Sequence, residues 1–184
     1  LITPATPPAS LLEPVRAFLR LLGHDRPPGR TFPVDLRLRP HGKDGPLLTG
    51  FERLRGYYLT KARDWEVQAL VRARAVAGPE SLCRRFADFR AEILFSPQSS
   101  RPPGMEFEDP TMRAPRLRAK LGSRDPVVCF KNAPGGLVDI ELFAQHLARR
   151  FGASRPSLRV PRVRQLLAAV AETPALRRFA PLGK

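Results

Sequence analysis

The stretch that most constrains the fold is Val34–Pro40, with the sequence Val-Asp-Leu-Arg-Leu-Arg-Pro. Apolar and charged residues alternate strictly along it, and this period of two predicts a β-strand with two different faces. The polar face would carry Asp35, Arg37 and Arg39. Because a single strand leaves both of its edges unpaired, the pattern also requires partner strands from elsewhere.

The polar face of this predicted strand has the side chains that phosphate chemistry uses. A carboxylate such as Asp35 can bind Mg²⁺, which prefers one or two carboxylates together with substrate phosphates. Arginine side chains bind phosphate oxygens in pairs. The alternative is a solvated sheet face on which Asp35 is neutralised by the neighbouring arginines. The heptapeptide alone leaves both interpretations open.

Beyond this strand, helical periodicity predicts a mainly α chain with a small β remnant, an α+β fold. Residues 1–10 are expected to be a frayed end, 96–112 a mobile loop and 127–130 a short strand. Gly and Pro residues separate the helices. The predicted helices cover about 11–22, 50–61, 65–77, 80–95, 112–121 and 137–151, with one or two short helices after 160 that are split near Pro174.

The chain has a net charge of +15, and all but five of its 32 basic residues are arginine. A strongly basic protein attracts polyanions such as nucleic acids, nucleotides and acidic protein surfaces. A GC-rich genome gives the same bias, because it raises Arg, Ala, Pro and Gly together. Charge alone therefore does not predict nucleic-acid binding.

The cysteines and histidines predict neither a disulfide framework nor a metal site. Cys83 and Cys129 are far apart and form no Cys-x-x-Cys, and the three histidines have no metal-ligand spacing. The chain has no apolar run of membrane-spanning length and no signal-peptide pattern. We therefore expect a soluble, cytoplasmic protein that does not contact a membrane.

Five motifs occur in a fixed order along residues 31–170. They are Asp-Leu-Arg-Leu-Arg-Pro-x-Gly at 35–42, Gly-Pro-Leu-Leu at 45–48, Tyr-Tyr at 57–58, Trp-Glu-x-Gln-Ala-Leu-x-Arg-Ala-Arg at 65–74 and Gly-Gly-Leu-Val-Asp-Ile-Glu at 135–141. Together they resemble the bacterial glutamine synthetase adenylyltransferase family. Each motif is weak by itself, and the resemblance depends on their order and spacing.

The resemblance implies a fold and a domain organisation. Family members carry two tandem nucleotidyltransferase domains, each followed by a helical domain. One copy transfers AMP from ATP to a tyrosine of glutamine synthetase, and the other removes it by phosphorolysis. Residues 1–78 would then be the C-terminal part of a nucleotidyltransferase domain, and 79–184 a helical bundle domain. The motifs at 68–74 and 135–141 are more similar to the adenylylating copy.

The resemblance also implies the roles of individual residues. Three carboxylates hold two Mg²⁺ ions in such enzymes, and Asp35 matches the third of them. The upstream Asp-x-Asp pair is absent from this sequence, so we expect a fragment that begins inside a catalytic domain and is inactive alone. Arg37 and Arg39 would neutralise phosphate charge on ATP. His41 is a departure, since serine is usual at that position.

Several residues keep two interpretations. Lys131, with the turn at 134–136, would either approach the nucleotide or cap the following helix. Trp65 and Glu66 are expected to pack and anchor a helix rather than to catalyse. Arg72 and Arg74 would either line a nucleotide cleft or pair with acidic neighbours.

Two other functional classes compete with the enzyme. One is a non-catalytic basic helical module that docks glutamine synthetase or the PII signal protein. The other is a nucleic-acid-binding domain, which only the charge favours, because the aromatic and basic interleaving of an RNA-binding sheet is missing. The preferred prediction is an adenylyltransferase with glutamine synthetase and PII as partners and no nucleic acid.

Overall fold

The computed structural model describes residues 1–23, 25–26, 29–30, 34–36, 38–96, 130–131 and 135–179. The predicted loop after residue 96, the predicted helix at 112–121 and residues 127–129 of the predicted strand lie outside these ranges. Phe130, the last residue of that predicted strand, lies in a turn.

Helices dominate the described part of the chain and confirm the mainly α prediction. The α-helices are α1 (Leu12–Gly23), α2 (Phe51–Thr60), α3 (Asp64–Ala69), α4 (Glu80–Phe95), α5 (Leu137–Phe151) and α6 (Val163–Glu172). Short 3₁₀ helices lie at Ala9–Leu11, Gly42–Asp44, Leu70–Arg72, Pro156–Leu158 and Pro174–Phe179. The predictions for α1, α2, α4 and α5 are confirmed to within about one residue, because Gly and Pro mark their ends.

The β remnant consists of two-residue strands. They are β1 (Ile2–Thr3), β2 (Asp25–Arg26), β3 (Gly29–Arg30) and β4 (Thr49–Gly50). β1 pairs in parallel with β4, and β2 pairs with β3 in antiparallel fashion. The expectation of a frayed end at residues 1–10 is therefore wrong for Ile2 and Thr3. A Cβ at Gly50 would lie 2.8 Å from the carbonyl oxygen of Ala5, so glycine lets the first residues approach β4 closely.

The predicted strand at 34–40 is wrong in the described residues. Residues 34–36 have no regular structure, and a turn begins at Leu38. The side chains meant for a buried face are exposed, by 38% at Val34, 37% at Leu36 and 65% at Leu38. An alternating pattern forms a strand only when a neighbouring strand pairs with it. Among the described strands, β4 pairs with β1 and β2 pairs with β3, and neither pairing includes residues 34–36.

The predicted helix at 65–77 is shorter than its pattern suggested. Asp64 is the first helical residue, and Arg63 occupies the N-cap position. The α-helix ends at Ala69 and tightens into the 3₁₀ turn Leu70–Arg72. Arg90 accounts for this end, because its guanidinium binds the carbonyl oxygens of Leu70 and Val71 at 2.7 and 2.6 Å.

The hydrophobic core joins α2 and α3 to α4, α5 and the C-terminal helices. Its buried side chains are Phe51, Leu54, Tyr58, Ala62, Val67, Leu70, Val71, Phe89, Ile93, Leu94, Phe95, Ala144, Leu147, Ala148, Leu158, Leu166, Val170 and Leu176. Helix α1, whose residues are all described, contributes no buried side chain. The core thus takes residues from both sides of position 78, while the division into two domains there stays a prediction.

Gly152 allows a close contact in this core. It follows the last residue of α5, and a Cβ built on it would clash with the Ala148 carbonyl oxygen and lie 2.6 Å from Cδ1 of the buried Phe95 ring. Real side chains essentially never approach so closely, so the ring or the helix end would have to move. In contrast, nothing lies within 4 Å of a Cβ built on Gly56, an exposed residue in α2.

We predict opposite effects for the same substitution at these two glycines. Gly152→Ala should lower the free energy of unfolding by about 1–3 kcal/mol, because it overpacks the core against Phe95. Gly56→Ala should raise it by about 0.5–1 kcal/mol, because alanine favours a helix interior. Urea unfolding of both variants measures this difference, and equal midpoints would contradict the described contact between α5 and Phe95.

Candidate functional site

The sequence-predicted site residues that the structure describes, Asp35, Arg39 and Lys131, are exposed or partly exposed. Asp35 lies in the irregular segment 34–36 and is exposed. Arg39 is partly buried in the adjoining turn. Arg37 lies outside the described residues. Lys131 is exposed in the turn before α5, and its carbonyl oxygen accepts a hydrogen bond from Val138 N–H at 3.1 Å.

Arg39 closes the turn at residues 38–45, which we call the 38–45 turn. Its Nε donates to the carbonyl oxygen of Gly45 at 2.8 Å, and Nη1 donates to that of Leu36 at 2.7 Å. The guanidinium therefore connects the end of the turn to the segment that carries Asp35. In the described residues no strand aligns Asp35 and Arg39 on one face, as the alternating pattern had predicted.

The backbone of the 38–45 turn explains its glycines. His41 and Gly42 both have left-handed conformations, with φ of 65° and 59°. A Cβ on Gly45 would clash with the carbonyl oxygen of Pro40. Non-glycine residues adopt positive φ rarely and at a cost, so something outside the turn must favour the conformation of His41.

Tyr57 supplies that contact from α2. The imidazole of His41 packs edge-on against the Tyr57 ring, with centroids 4.8 Å apart. The backbone N–H of His41 also lies 3.5 Å from Tyr57 Oη, which is long for a hydrogen bond. The aromatic contact therefore joins α2 to the 38–45 turn.

Glu66 holds the Tyr57 side chain in place through a hydrogen bond to its hydroxyl. The Tyr57 hydroxyl donates to Glu66 Oε1 at 2.7 Å, and the backbone N–H of Arg63 donates to Oε2 at 2.9 Å. Glu66 is buried, with 8% of its surface exposed, so both carboxylate oxygens need such donors. Its predicted helix-anchoring role is confirmed, whereas its bond to Tyr57 escaped the sequence analysis. A glutamate among the core positions of a helix is the signal that could have found it.

Both tyrosines remain protonated near neutral pH. Burial, and then the hydrogen bond to Glu66, raises the pKa of Tyr57. Burial raises the pKa of Tyr58 to about 12. Because the Tyr57 phenol keeps its proton, it remains a donor to the Glu66 carboxylate across the physiological range.

A polar seam joins α3 and the following 3₁₀ turn to α5. At one end, Arg149 Nη1 and Nη2 donate to the two carboxylate oxygens of Asp64 at 2.9 and 2.7 Å. The side chains of this pair are only 5% and 14% exposed. Such a bidentate pair is strong and sets the orientation of the two helices.

The other members of the seam on this side, Gln68 and Arg72, follow Asp64 at four-residue spacing through α3 and the 3₁₀ turn after it. Gln68 Nε2 donates to the carbonyl oxygen of Leu142 at 3.1 Å. Arg72 forms an ion pair with Glu141, whose Oε1 also accepts from Gln145 Nε2 at 3.1 Å. Of the two interpretations of Arg72, the structure supports pairing with an acidic neighbour.

The five sequence motifs are connected through these contacts. Arg39 of the first motif binds Gly45 of the second, and His41 of the first contacts Tyr57 of the third. Tyr57 binds Glu66 of the fourth. The fourth then reaches the fifth through the Arg72–Glu141 ion pair. One continuous path therefore runs from the 38–45 turn to the start of α5.

Two further observations concern the part of the chain that the structure describes. Within the residues that the structure describes, no group of three or more His, Cys, Asp or Glu side chains is placed to hold a metal ion. Among the helices described, none has both the length and the apolarity needed to cross a membrane.

Comparison with known proteins identifies the family. Residues 16–88 match the family model of glutamate-ammonia ligase adenylyltransferase. A bifunctional glutamine synthetase adenylyltransferase/adenylyl-removing enzyme of Xanthomonas campestris is 38% identical over 141 residues, covering 76% of this chain and 15% of the relative. The chain belongs to the glutamine synthetase adenylyltransferase family.

Other members give the same result. The enzyme of the same name from Mannheimia succiniciproducens is 37% identical over 130 residues, or 71% of this chain and 13% of the relative. That from Acinetobacter baylyi is 33% identical over 147 residues, or 77% and 16%. The chain thus spans about a sixth or less of the length of these family members. The residues that match the family model, 16–88, include the 38–45 turn, Tyr57 and Glu66.

We predict that the seam is essential to the packing of α5. Arg149→Met should lower the free energy of unfolding by about 3–5 kcal/mol, because it leaves the Asp64 carboxylate buried without its partner. Arg150→Met is the matched control, since Arg150 is exposed on the same helix. That control should change the stability by about 0.5 kcal/mol or less.

Urea unfolding of the two variants gives the comparison. A similar, small loss for both would show that the Asp64–Arg149 pair does not hold α5 against α3.

Proposed function

We propose that this chain is part of an adenylyltransferase that transfers AMP from ATP to a tyrosine hydroxyl of glutamine synthetase, removes that AMP by phosphorolysis, or does both. One observation carries the proposal. The family match at 16–88 contains the complete 38–45 turn with its supports Tyr57 and Glu66, and this turn adjoins the exposed carboxylate of Asp35. The printed names of the relatives give the reaction class.

Mg²⁺ is the metal that fits this reaction and this carboxylate. An exposed aspartate provides the hard oxygen ligands that Mg²⁺ prefers, and Mg²⁺ commonly binds one or two carboxylates plus substrate phosphates. Asp35 would supply one such ligand, and further carboxylates would come from outside the described residues. When bound, the ion neutralises charge on the triphosphate and polarises the reacting phosphorus.

The arginines of the first motif would bind the phosphates of ATP. The Arg39 guanidinium is held by the carbonyl oxygens of Gly45 and Leu36, and a charge fixed in place in this way requires little reorganisation during the reaction. Arg37 would share this role. Lys131 is a more remote candidate for contact with the nucleotide, because its side chain is exposed and its carbonyl supports α5.

The biological setting follows from the same proposal. Glutamine synthetase would be the protein substrate and the PII signal protein a regulatory partner, in the cytoplasm and without nucleic acid. The motifs at 68–74 and 135–141 favour the adenylylating copy of the tandem. The name of the relatives favours this enzyme over a purely docking module.

The assignment of Asp35 can be tested in the full-length protein. Asp35→Asn should lower AMP transfer to glutamine synthetase by about two orders of magnitude or more, because it removes a charge needed around the reacting phosphate. Asp88→Asn is the control, since Asp88 is an exposed aspartate on α4, outside the 38–45 turn. Thermal unfolding should be similar for both. An Asp35→Asn enzyme as active as the control would refute the assignment.

A second prediction concerns residues 1–184 purified alone. They should not transfer AMP with ATP and Mg²⁺, because Asp35 by itself cannot hold the two-metal arrangement that the family resemblance implies. Labelled ATP and purified glutamine synthetase would show any transfer. Measurable labelling would mean that these residues contain a complete site.

A further inference from the structure

The 38–45 turn is supported from outside itself. Within the turn, Arg39 closes the loop by binding Gly45. Nevertheless, the left-handed His41 is a costly conformation, for which residues outside favourable regions lose about 1–3 kcal/mol. Tyr57 of α2 contacts it through its ring, and the Tyr57 hydroxyl also lies 3.5 Å from the His41 backbone N–H.

The support is rigid because Tyr57 is fixed at its far end. A tyrosine side chain has two rotatable angles, and its hydroxyl is bound to a buried glutamate at 2.7 Å. Glu66 is in turn held by the Arg63 N–H at the start of α3. The turn is therefore held in position by two helices that contribute to the core, α2 and α3.

We infer that Tyr57 and Glu66 are positioning residues that hold the His41 side of the 38–45 turn, and through it Arg39 and Asp35, in the geometry that binds the phosphates of ATP. This inference rests on the proposed function. Neither side chain needs to touch the nucleotide. Tyr57 acts through the His41 ring, and Glu66 acts by orienting Tyr57.

This arrangement has a direct kinetic consequence. Small displacements of binding groups from the productive geometry reduce rates strongly, so a loosened turn should affect the steps that involve ATP. The binding of the protein substrate should not change, because it does not depend on the turn in this inference. A purely structural role would instead lower stability and leave the Michaelis constants of the folded enzyme unchanged.

The test uses a double-mutant cycle in the full-length protein. Tyr57→Phe removes the hydroxyl and keeps the ring, whereas His41→Asn removes the ring contact and keeps a residue that tolerates positive φ. Tyr58→Phe is the matched control, because it removes a hydroxyl one residue later from a ring packed on Phe89 in the core. Measurements are kcat and KM for ATP, KM for glutamine synthetase, and the thermal midpoint.

We expect Tyr57→Phe and His41→Asn each to lower kcat/KM for ATP by about tenfold, with the KM for glutamine synthetase unchanged. The double variant should lose little more than either single variant, because both remove the same support. Tyr58→Phe should leave kcat/KM for ATP within about twofold of the wild type.

Each contrary result has a separate meaning. If Tyr57→Phe behaves like Tyr58→Phe, or if the two losses multiply in the double variant, the positioning role is refuted while the proposed function stands. A wild-type full-length protein that transfers no AMP to glutamine synthetase, and removes none from it, would refute the proposed function and this inference with it.

Discussion

The buried ion pair between Asp64 and Arg149 is the interaction on which the arrangement of the helices depends. Charges this deeply buried are stabilising only when geometry and hydrogen bonding compensate for lost hydration. Both guanidinium Nη atoms meet both carboxylate oxygens, so this condition is satisfied. A bidentate pair allows α5 to slide very little along α3. The same alignment of the two helices brings Gln68 to the Leu142 carbonyl and Arg72 to Glu141.

Arginine also does much of the work at helix ends. Arg90 binds the carbonyls of Leu70 and Val71, and Arg159 binds those of Gly152 and Ala153 at 2.7 and 3.0 Å. These carbonyls lie at the ends of α3 and α5, where a helix leaves carbonyls without intrahelical donors, although that of Leu70 also accepts from the Ala73 N–H at 3.0 Å. The planar fork of arginine reaches two at once, which a lysine ammonium does with less directionality. Part of the chain's positive charge is thus used inside the fold rather than for an external polyanion.

The success of the sequence predictions depended on the range of the interactions involved. Helices α4 and α5 were predictable because apolar spacing and flanking Gly and Pro residues are local signals. The strand at 34–40 was not, since a strand exists only through its partner. At the site, the predicted alignment of Asp35 and Arg39 on one face failed together with that strand. The Asp64–Arg149 pair, 85 residues apart, and the Tyr57–Glu66 bond depend on tertiary packing that no local pattern encodes.

The connected motifs show how residues far apart in sequence form one structural framework. A motif is usually attributed to chemistry, yet the side chains of Tyr57, Glu66 and Arg72 are occupied by other protein groups. These side chains connect secondary-structure elements: Tyr57 and Glu66 join α2 to α3, and Arg72 joins the following 3₁₀ turn to α5. Because Glu66 and Arg72 lie on one short segment that contacts both α2 and α5, a shift of α5 would be transmitted toward the 38–45 turn. The five motifs therefore include residues that support the proposed phosphate-binding turn as well as residues proposed to contact ATP.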